Sequence, residues 1–225
     1  MQPVIQKALA REGLNATFEL GGPEHDKLLL QYPALSQGTG YVAPVITLEF
    51  GGRATGEPHQ IVPITCDIAD HLQDVAFPIA SPQVMTIART FWEKLTAAHV
   101  FCAQGRLRGE RFARHWHDLA AISRSSYFAS LIGSPSVANT VAQHKSLFFS
   151  EKDAAGRVIN YCTAVTGHLK IVPDGEAKDA LARDYAAMLE DEVMVSDALS
   201  FDDLLDACAK LEVIVNKVAS ASTPP

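Results

Sequence analysis

Apolar residues recur at strand spacing in the first third of the chain and at helical spacing in the remainder. A short apolar stripe predicts a helix over 4–12, which Gly13 ends. Stretches rich in apolar and β-branched residues, separated by Gly- and Pro-containing turns, predict four strands, at 16–20, 27–32, 42–50 and 60–66. The N-terminal block is therefore expected to form part of a sheet.

From residue 82 onward the apolar spacing is helical, as for Phe91, Leu95 and Ala98. Segments with this spacing predict five helices, at 82–103, 111–122, 136–149, 176–192 and 201–219. The order of the elements predicts an α+β fold, in which a partial sheet region at 1–80 precedes a C-terminal helical bundle at 81–220.

Composition and charge narrow the class of protein. The 225 residues are 48% hydrophobic and 20% charged, which is typical of a globular protein, and the net charge of −7 argues against bulk attraction to DNA or anionic membranes. A local basic groove is compatible with that net charge, because positive side chains can cluster. Cys66, Cys102, Cys162 and Cys208 form no CxxC pair, which argues against a disulfide framework or a structural zinc site. No apolar run is long enough for a signal peptide or a membrane span, so we expect a soluble, cytoplasmic protein.

The strongest local feature is the pair of segments RTFWEKLTAAH at 89–99 and RLRGERFARHWHDL at 106–119. Arg111, Arg114 and Asp118 recur at helical spacing, so they are expected to share one face of the second predicted helix. Such a face forms a basic ledge with one carboxylate set into it.

Further cations extend this ledge. Arg106 and Arg108 lie in the loop before the helix, and Lys94 lies on the preceding helix. Guanidinium groups grip phosphate oxygens in a bidentate fashion, so the ledge suits a polyanion such as a triphosphate. Spacing alone favours a plainer interpretation, in which the Arg–Asp pairs are solvated ion pairs and Glu93 is a surface partner of Arg89 or Lys94.

The two segments resemble the AbiEii/AbiGii-type nucleotidyltransferase toxins of type IV toxin–antitoxin and abortive-infection systems. The resemblance is carried by RTFWEK at 89–94 and RHWHDL at 114–119, and it runs from about Gly40 almost to the end of the chain. It continues through YVAPVITLEFGGRA at 41–54, AQHKSLFF at 142–149, GHLKIVP at 167–173 and DYAAM at 184–188. The resemblance implies a nucleotidyltransferase-like sheet and an active site that contains Lys94 and Asp118.

The resemblance also implies a Mg²⁺ cofactor. Nucleotidyltransferases of this fold begin with a Gly-Ser turn followed by an Asp-x-Asp pair that holds Mg²⁺, and the N-terminal block of this chain has neither element. Gly21 and Gly22 with Asp26 supply only a glycine pair and one acid. Glu49 occupies the place of the fold's third metal-binding carboxylate and is the candidate metal ligand. One carboxylate cannot organise a two-metal site, so Met1 looks like an internal start.

The activity implied is transfer of a nucleotide from an NTP to an RNA end, such as tRNA, or to a protein hydroxyl. Asp118 is expected to position or deprotonate a reacting group, or to orient Lys94, and Glu49 is expected to assist metal binding. The residues expected to face the phosphates are the basic ones, Lys94, Arg108, Arg111, Arg114 and Lys145.

Two other functions remain open. The chain could be a non-catalytic remnant that binds a nucleotide or an antitoxin, or a structural domain whose basic ledge contacts an acidic partner such as an antitoxin. His144 and Lys145 either reach the nucleotide pocket or form a buried polar pair at a helix end. Asp184 and Tyr185 are expected to anchor the bundle, and Trp116 to lie in the core.

Overall fold

The computed structural model describes residues 2–14, 16–22, 26–33, 40–51, 55–105, 111–193 and 198–222. The chain divides into two compact units. The first contains residues 1–55 and 186–196, and the second contains residues 56–185 and 197–225. Among the described residues, no helix has the length and apolar character needed to cross a bilayer.

The first unit is built on an antiparallel three-stranded sheet. Its elements are helix α1 (Gln2–Arg11) and strands β1 (Thr17–Gly21), β2 (Lys27–Gln31) and β3 (Val45–Glu49). Strand β2 lies in the middle, and its Leu28 and Leu30 are both buried because alternate residues of a strand face the same side. The register sets Lys27 opposite Glu49. The first helix and the first three predicted strands are confirmed.

The second unit combines helices with a two-stranded sheet. Its elements are β4 (His59–Ile61), β5 (Gln83–Met85), α2 (Ile87–Gln104), α3 (Ala113–Ser123), α4 (Phe128–Ile132), α5 (Pro135–Phe148), α6 (Gly175–Glu190) and α7 (Phe201–Ser222), with short 3-10 helices at Asp67–His71 and Tyr161–Val165. The last turn of α6, after Tyr185, belongs to the first unit. The predicted α+β class is confirmed.

The strand predicted at 60–66 is wrong in its extent. Strand β4 ends at Ile61, and beyond it only a single bridge joins Ile64 to Ala80. Pro82 accounts for the interruption: its carbonyl accepts from the backbone N–H of Val62 at 3.2 Å, but proline has no N–H to donate back to the ladder.

The helix predicted at 82–103 also begins later than expected. Strand β5 comes first and pairs antiparallel with β4. Helix α2 then starts at Ile87, where the Thr86 hydroxyl accepts a hydrogen bond from the backbone N–H of Arg89 at 3.4 Å. Gly105 ends the helix with a left-handed backbone, φ +66°, which glycine adopts without steric cost.

The core of the second unit forms around Trp116 of α3. Its side chain is fully buried, and its indole N–H donates to the backbone carbonyl of Ile171 at 2.6 Å. Helices α2 and α7 both pack against α3. They contribute buried side chains that include Phe91, Leu95, Leu204, Cys208 and Leu211. The core position expected for Trp116 is confirmed.

His99 joins α2 to the segment at 167–173. Its Nδ1 accepts from the backbone N–H of Lys170 at 3.1 Å, and its Nε2 lies 3.1 Å from the Thr163 hydroxyl oxygen. Burial lowers the pKa of His99, so the ring stays neutral and Nε2 is the donor. The Glu212 carboxylate of α7 accepts from the backbone N–H of Ile171 at 2.7 Å, which fixes the same segment from the other side.

Asp184 of α6 fixes the start of α3. Its two carboxylate oxygens accept from the backbone N–H groups of Arg111 and Ala113, both at 2.7 Å. These N–H groups have no partner within the helix, so Asp184 acts as a cap supplied from another element. Tyr185 donates its hydroxyl proton to the carbonyl of Leu199 at 2.8 Å. The anchoring role expected for Asp184 and Tyr185 is confirmed.

We predict that Asp184→Ala lowers the free energy of unfolding by about 1–2 kcal/mol, because two N–H groups at the start of α3 lose their acceptor. Urea denaturation measures the change. Asp179→Ala, at an exposed position of the same helix, is the matched control and should be close to neutral. Equal stability of the two variants would show that the cap contributes nothing.

Candidate functional site

An ion pair between Lys94 of α2 and Asp118 of α3 forms the centre of the candidate site. The Lys94 ammonium nitrogen lies 2.6 Å from Asp118 Oδ2, and the two side chains are 20% and 33% exposed. The contact restricts the lysine side chain to one direction. An ammonium group has three donors, so two remain for another anion.

The basic ledge on α3 contains fewer residues than the sequence spacing predicted. Arg114 is exposed and lies one turn before Asp118 on the same face. Arg111 precedes the helix in a left-handed conformation, φ +69°, and donates its N–H to Asp184. The expectation that Arg111 shares the helical face of Arg114 and Asp118 is therefore wrong, because the cap makes the helix begin at Ala113.

A second charged group lies beside the first, between α2 and α5. Glu93 pairs with a guanidinium nitrogen of Arg89 at 2.6 Å and with the ammonium nitrogen of Lys145 at 2.9 Å. Burial opposes ionisation of Glu93, but the charges and hydrogen bonds of Lys145 and Arg89 outweigh it and lower the pKa of Glu93. Glu93 does pair with Arg89, but it does so in the interior, since Arg89 is only 2% exposed.

His144 and Lys145 both reach this group from α5. His144 Nδ1 lies 3.4 Å from a guanidinium nitrogen of Arg89, and the Lys145 ammonium also donates to the backbone carbonyl of Glu93 at 3.4 Å. The two residues therefore form a half-buried polar pair at the end of a helix, and Lys145 additionally lines a cleft.

That cleft, here called the aromatic cleft, is defined by Phe101, Phe112, Phe149 and Tyr161 and has a volume of about 280 Å³. The Phe101 and Phe112 rings meet edge to face with centroids 4.3 Å apart. Lys145 lies 5.6 Å from the centroid of Phe149, within the range of a cation–π contact. The cleft thus has aromatic walls and one cation at its margin.

Polar groups near Tyr161 also line the aromatic cleft. Burial, with Glu151 and Glu93 nearby, raises the pKa of Tyr161 to about 12, so the phenol stays protonated. Gln104 donates from Nε2 to the Glu151 carboxylate at 2.8 Å, and both residues line the cleft.

His115 lies between the charged groups and the aromatic cleft. Its ring centroid is 6.0 Å from that of Phe101. Burial, followed by the positive charges of Lys94 and Arg114, lowers the pKa of His115 to about 4, although Asp118 acts in the opposite direction. The ring is therefore neutral at neutral pH, and among the described residues its buried Nδ1 has no hydrogen-bond partner.

One face of α2 connects the charged groups with the aromatic cleft. Lys94, Ala97, Phe101 and Gln104 follow at intervals of three and four residues, which places them on one face of the helix. At 1.5 Å per residue, the face extends about 15 Å from the lysine to the glutamine. Cations and aromatic side chains therefore form one continuous surface.

Two sets of predicted site residues lie elsewhere. Glu49 is the last residue of β3 in the first unit, is exposed, and lies 3.5 Å from the ammonium nitrogen of Lys27. Throughout the described ranges, no three His, Cys, Asp or Glu side chains gather in a way that could hold a metal ion, so the residues described do not fit a Mg²⁺ pair. Arg106 and Arg108 lie outside the described residues.

Sequence reasoning missed the aromatic walls and the Gln104–Glu151 pair. These residues meet because the turn after α5 docks on the end of α2, where the backbone N–H of Ala154 donates to the carbonyl of Ala103 at 3.0 Å. No local pattern encodes that contact. The nearest signal was the KSLFF segment, whose Phe149 supplies one wall.

The chain matches the profile of the AbiEii nucleotidyl transferase toxins of type IV toxin–antitoxin systems over residues 3–207. Because the match spans most of the chain, this protein belongs to the AbiEii nucleotidyltransferase toxin family. Membership implies an antitoxin as a partner. The match reaches further towards the N-terminus than the resemblance that starts near Gly40. No curated protein and no solved structure matches the chain significantly.

We predict that the His115 ring titrates near pH 4 and that Lys94→Met moves its pKa up towards the ordinary value of 6.5, because one of the cations that lower it is removed. Histidine ring resonances followed by NMR measure both values. The exposed Lys178→Met on α6 is the control and should leave the titration unchanged.

The free energy of unfolding should change over the pH range in which His115 titrates. The pKa of His115 is lower in the folded chain than in the unfolded chain, so the unfolded state takes up the proton first. The contribution of the neutral ring is present above about pH 6.5 and is lost as the pH falls towards 4. A wild-type ring that titrates near 6.5 would contradict the buried, cation-flanked position.

Proposed function

We propose that one face of α2 is the surface on which this nucleotidyltransferase toxin binds a nucleoside triphosphate. The observation that carries the proposal is the continuity of two surfaces. The charged groups at Lys94, Asp118 and Lys145 adjoin a cleft walled by phenylalanine rings. The triphosphate and the base are the two ends of an NTP, joined by the ribose, and each end suits one of these surfaces.

The phosphates would lie against Lys94, Arg114 and Lys145. Asp118 uses one of the three donors of Lys94 and fixes its direction, which leaves two donors for phosphate oxygens. Arg114 is exposed on the same face of α3 as Asp118 and offers the planar fork that matches phosphate geometry. The partly buried positions of Lys94 and Lys145 strengthen their attraction to phosphate, because water screens it less.

The base would lie in the aromatic cleft. An apolar cavity of about 150 Å³ is sufficient for benzene, so a cleft of about 280 Å³ has room for a nucleobase. Stacking of a base on an aromatic side chain contributes about 1–3 kcal/mol, and Phe101, Phe112 and Phe149 all present rings to the cleft.

The reaction would transfer a nucleotidyl group to a hydroxyl of an RNA end, tRNA in particular, or of a protein, and pyrophosphate would leave. The described side chains would contribute positioning and neutralisation of phosphate charge, which are the main sources of catalysis in such transfers. We retain Mg²⁺ as the expected cofactor and Glu49 as its candidate ligand. No step is assigned to the metal, because the carboxylates described do not gather into a site for it.

The second candidate function is a non-catalytic module that binds a nucleotide or the antitoxin. This function needs only the cationic surface around Lys94 and Lys145, which can hold an anion without any reaction. Incubation with labelled NTPs and total tRNA separates the two candidates. Label on the RNA or on protein supports transfer, whereas NTP binding that labels neither supports the module.

We predict that the chain binds at least one of ATP, CTP, GTP and UTP in the presence of Mg²⁺, and that Lys94→Ala weakens the binding at least about tenfold, because a charged hydrogen bond to phosphate is lost. Isothermal titration calorimetry measures both. The exposed Lys178→Ala is the matched control and should bind as the wild type does.

Thermal unfolding of each variant must accompany these titrations, since Lys94→Ala leaves the Asp118 carboxylate without its partner. A folded wild-type chain that binds none of the four NTPs would refute nucleotide binding. Binding that is unchanged in a folded Lys94→Ala variant would refute the placement of the phosphates.

A further inference from the structure

The aromatic cleft carries a hydrogen-bonded polar pair on its wall, Gln104 with Glu151. Gln104 is 9% exposed, and its Nε2 donates to Glu151 Oε2 at 2.8 Å. A few fixed polar groups in an otherwise apolar pocket are the usual means by which a site orients and selects its ligand. The pair is therefore placed to contact the polar edge of whatever occupies the cleft.

The backbone around Glu151 is held on both sides. Its N–H donates to the carbonyl of Phe149 at 3.1 Å, and its carbonyl accepts from the N–H of Ile159 at 2.9 Å. The same turn docks on the last turn of α2 through the bond from Ala154 to Ala103, at 3.0 Å. Groups held in this way lose little freedom on binding, which increases their power to discriminate between ligands.

Gln104 and Glu151 present mainly hydrogen-bond acceptors to the cleft. A carboxylate only accepts hydrogen bonds, and the bond from Gln104 occupies one of the roughly four lone-pair positions of Glu151. That bond also directs the amide nitrogen of Gln104 towards Glu151, which leaves the amide oxygen as a further acceptor. A ligand edge that carries N–H donors is therefore complementary to the pair, and an edge of carbonyl oxygens is not.

The geometry points to Gln104 and Glu151 as the base-selecting edge of the site, with a preference for bases that carry an exocyclic amino group over uracil; this inference rests on the proposed nucleotide binding. Adenine, cytosine and guanine each present an amino group with N–H donors. Uracil instead has carbonyl oxygens on both sides of its single ring N–H. A uracil oxygen placed against the carboxylate sets two hydrogen-bond acceptors against each other. Neither acceptor then has a donor, and that loss weakens binding.

CTP and UTP make the sharpest comparison, because they have the same size and differ where one has an amino group and the other a carbonyl. Titration calorimetry should show that the wild-type chain binds CTP about tenfold more tightly than UTP, the factor expected for one hydrogen bond to a charged group. Glu151→Gln replaces a carboxylate oxygen with an N–H₂ group and still accepts the bond from Gln104. In this variant the ratio should shrink to about twofold or less, mainly because UTP binds better.

Glu176→Gln is the matched control, at an exposed position in the first turn of α6, and it should keep the wild-type ratio. A wild-type chain that binds CTP and UTP equally would overturn the base-selecting role while nucleotide binding stands. So would an unchanged ratio in Glu151→Gln, which would mean that the pair only ties the turn to α2. A chain that binds no NTP would instead overturn the proposed function, and the base selection with it.

Discussion

The pairing of charges between α2, α3 and α5 is the constraint on which the helical unit depends. Arg89 is almost completely buried, and a buried cation without a partner is strongly destabilising, so Glu93 must lie where it does. Glu93 in turn holds Lys145, and Asp118 holds Lys94. These pairs fix three helices relative to one another. The same pairs direct the ammonium groups that a bound phosphate would meet.

Cations outnumber carboxylates in this cluster, whose members are Arg89, Lys94, Arg114 and Lys145 on one side and Glu93 and Asp118 on the other. The excess lies in a chain whose net charge is −7, so the overall charge conceals a local excess of positive charge. His115 is kept neutral by burial and by the neighbouring cations, and the aromatic cleft begins at its side. One end of the surface therefore suits an anion and the other suits a flat ring.

Prediction from the sequence succeeded for residues whose positions follow from the spacing within one helix or from a motif of the family. Helical spacing placed Phe91, Leu95 and Trp116 in the core, and the resemblance selected Lys94 and Asp118, which the fold brings to 2.6 Å. Spacing failed at Arg111, because a carboxylate of a helix some seventy residues further along the chain sets where α3 begins. Contacts between distant segments, such as Gln104 with Glu151, leave no local pattern and could not be predicted.

Membership of the AbiEii family establishes the class of protein, and the helical unit supplies the surface that we propose for a nucleotide. The most direct test of that surface is a crystal structure of the chain with a non-hydrolysable NTP analogue. The proposed placement puts phosphate oxygens within hydrogen-bond distance of the Lys94 ammonium and a base among Phe101, Phe112 and Phe149. A nucleotide bound away from α2, with Lys94 contacting only Asp118, would contradict it.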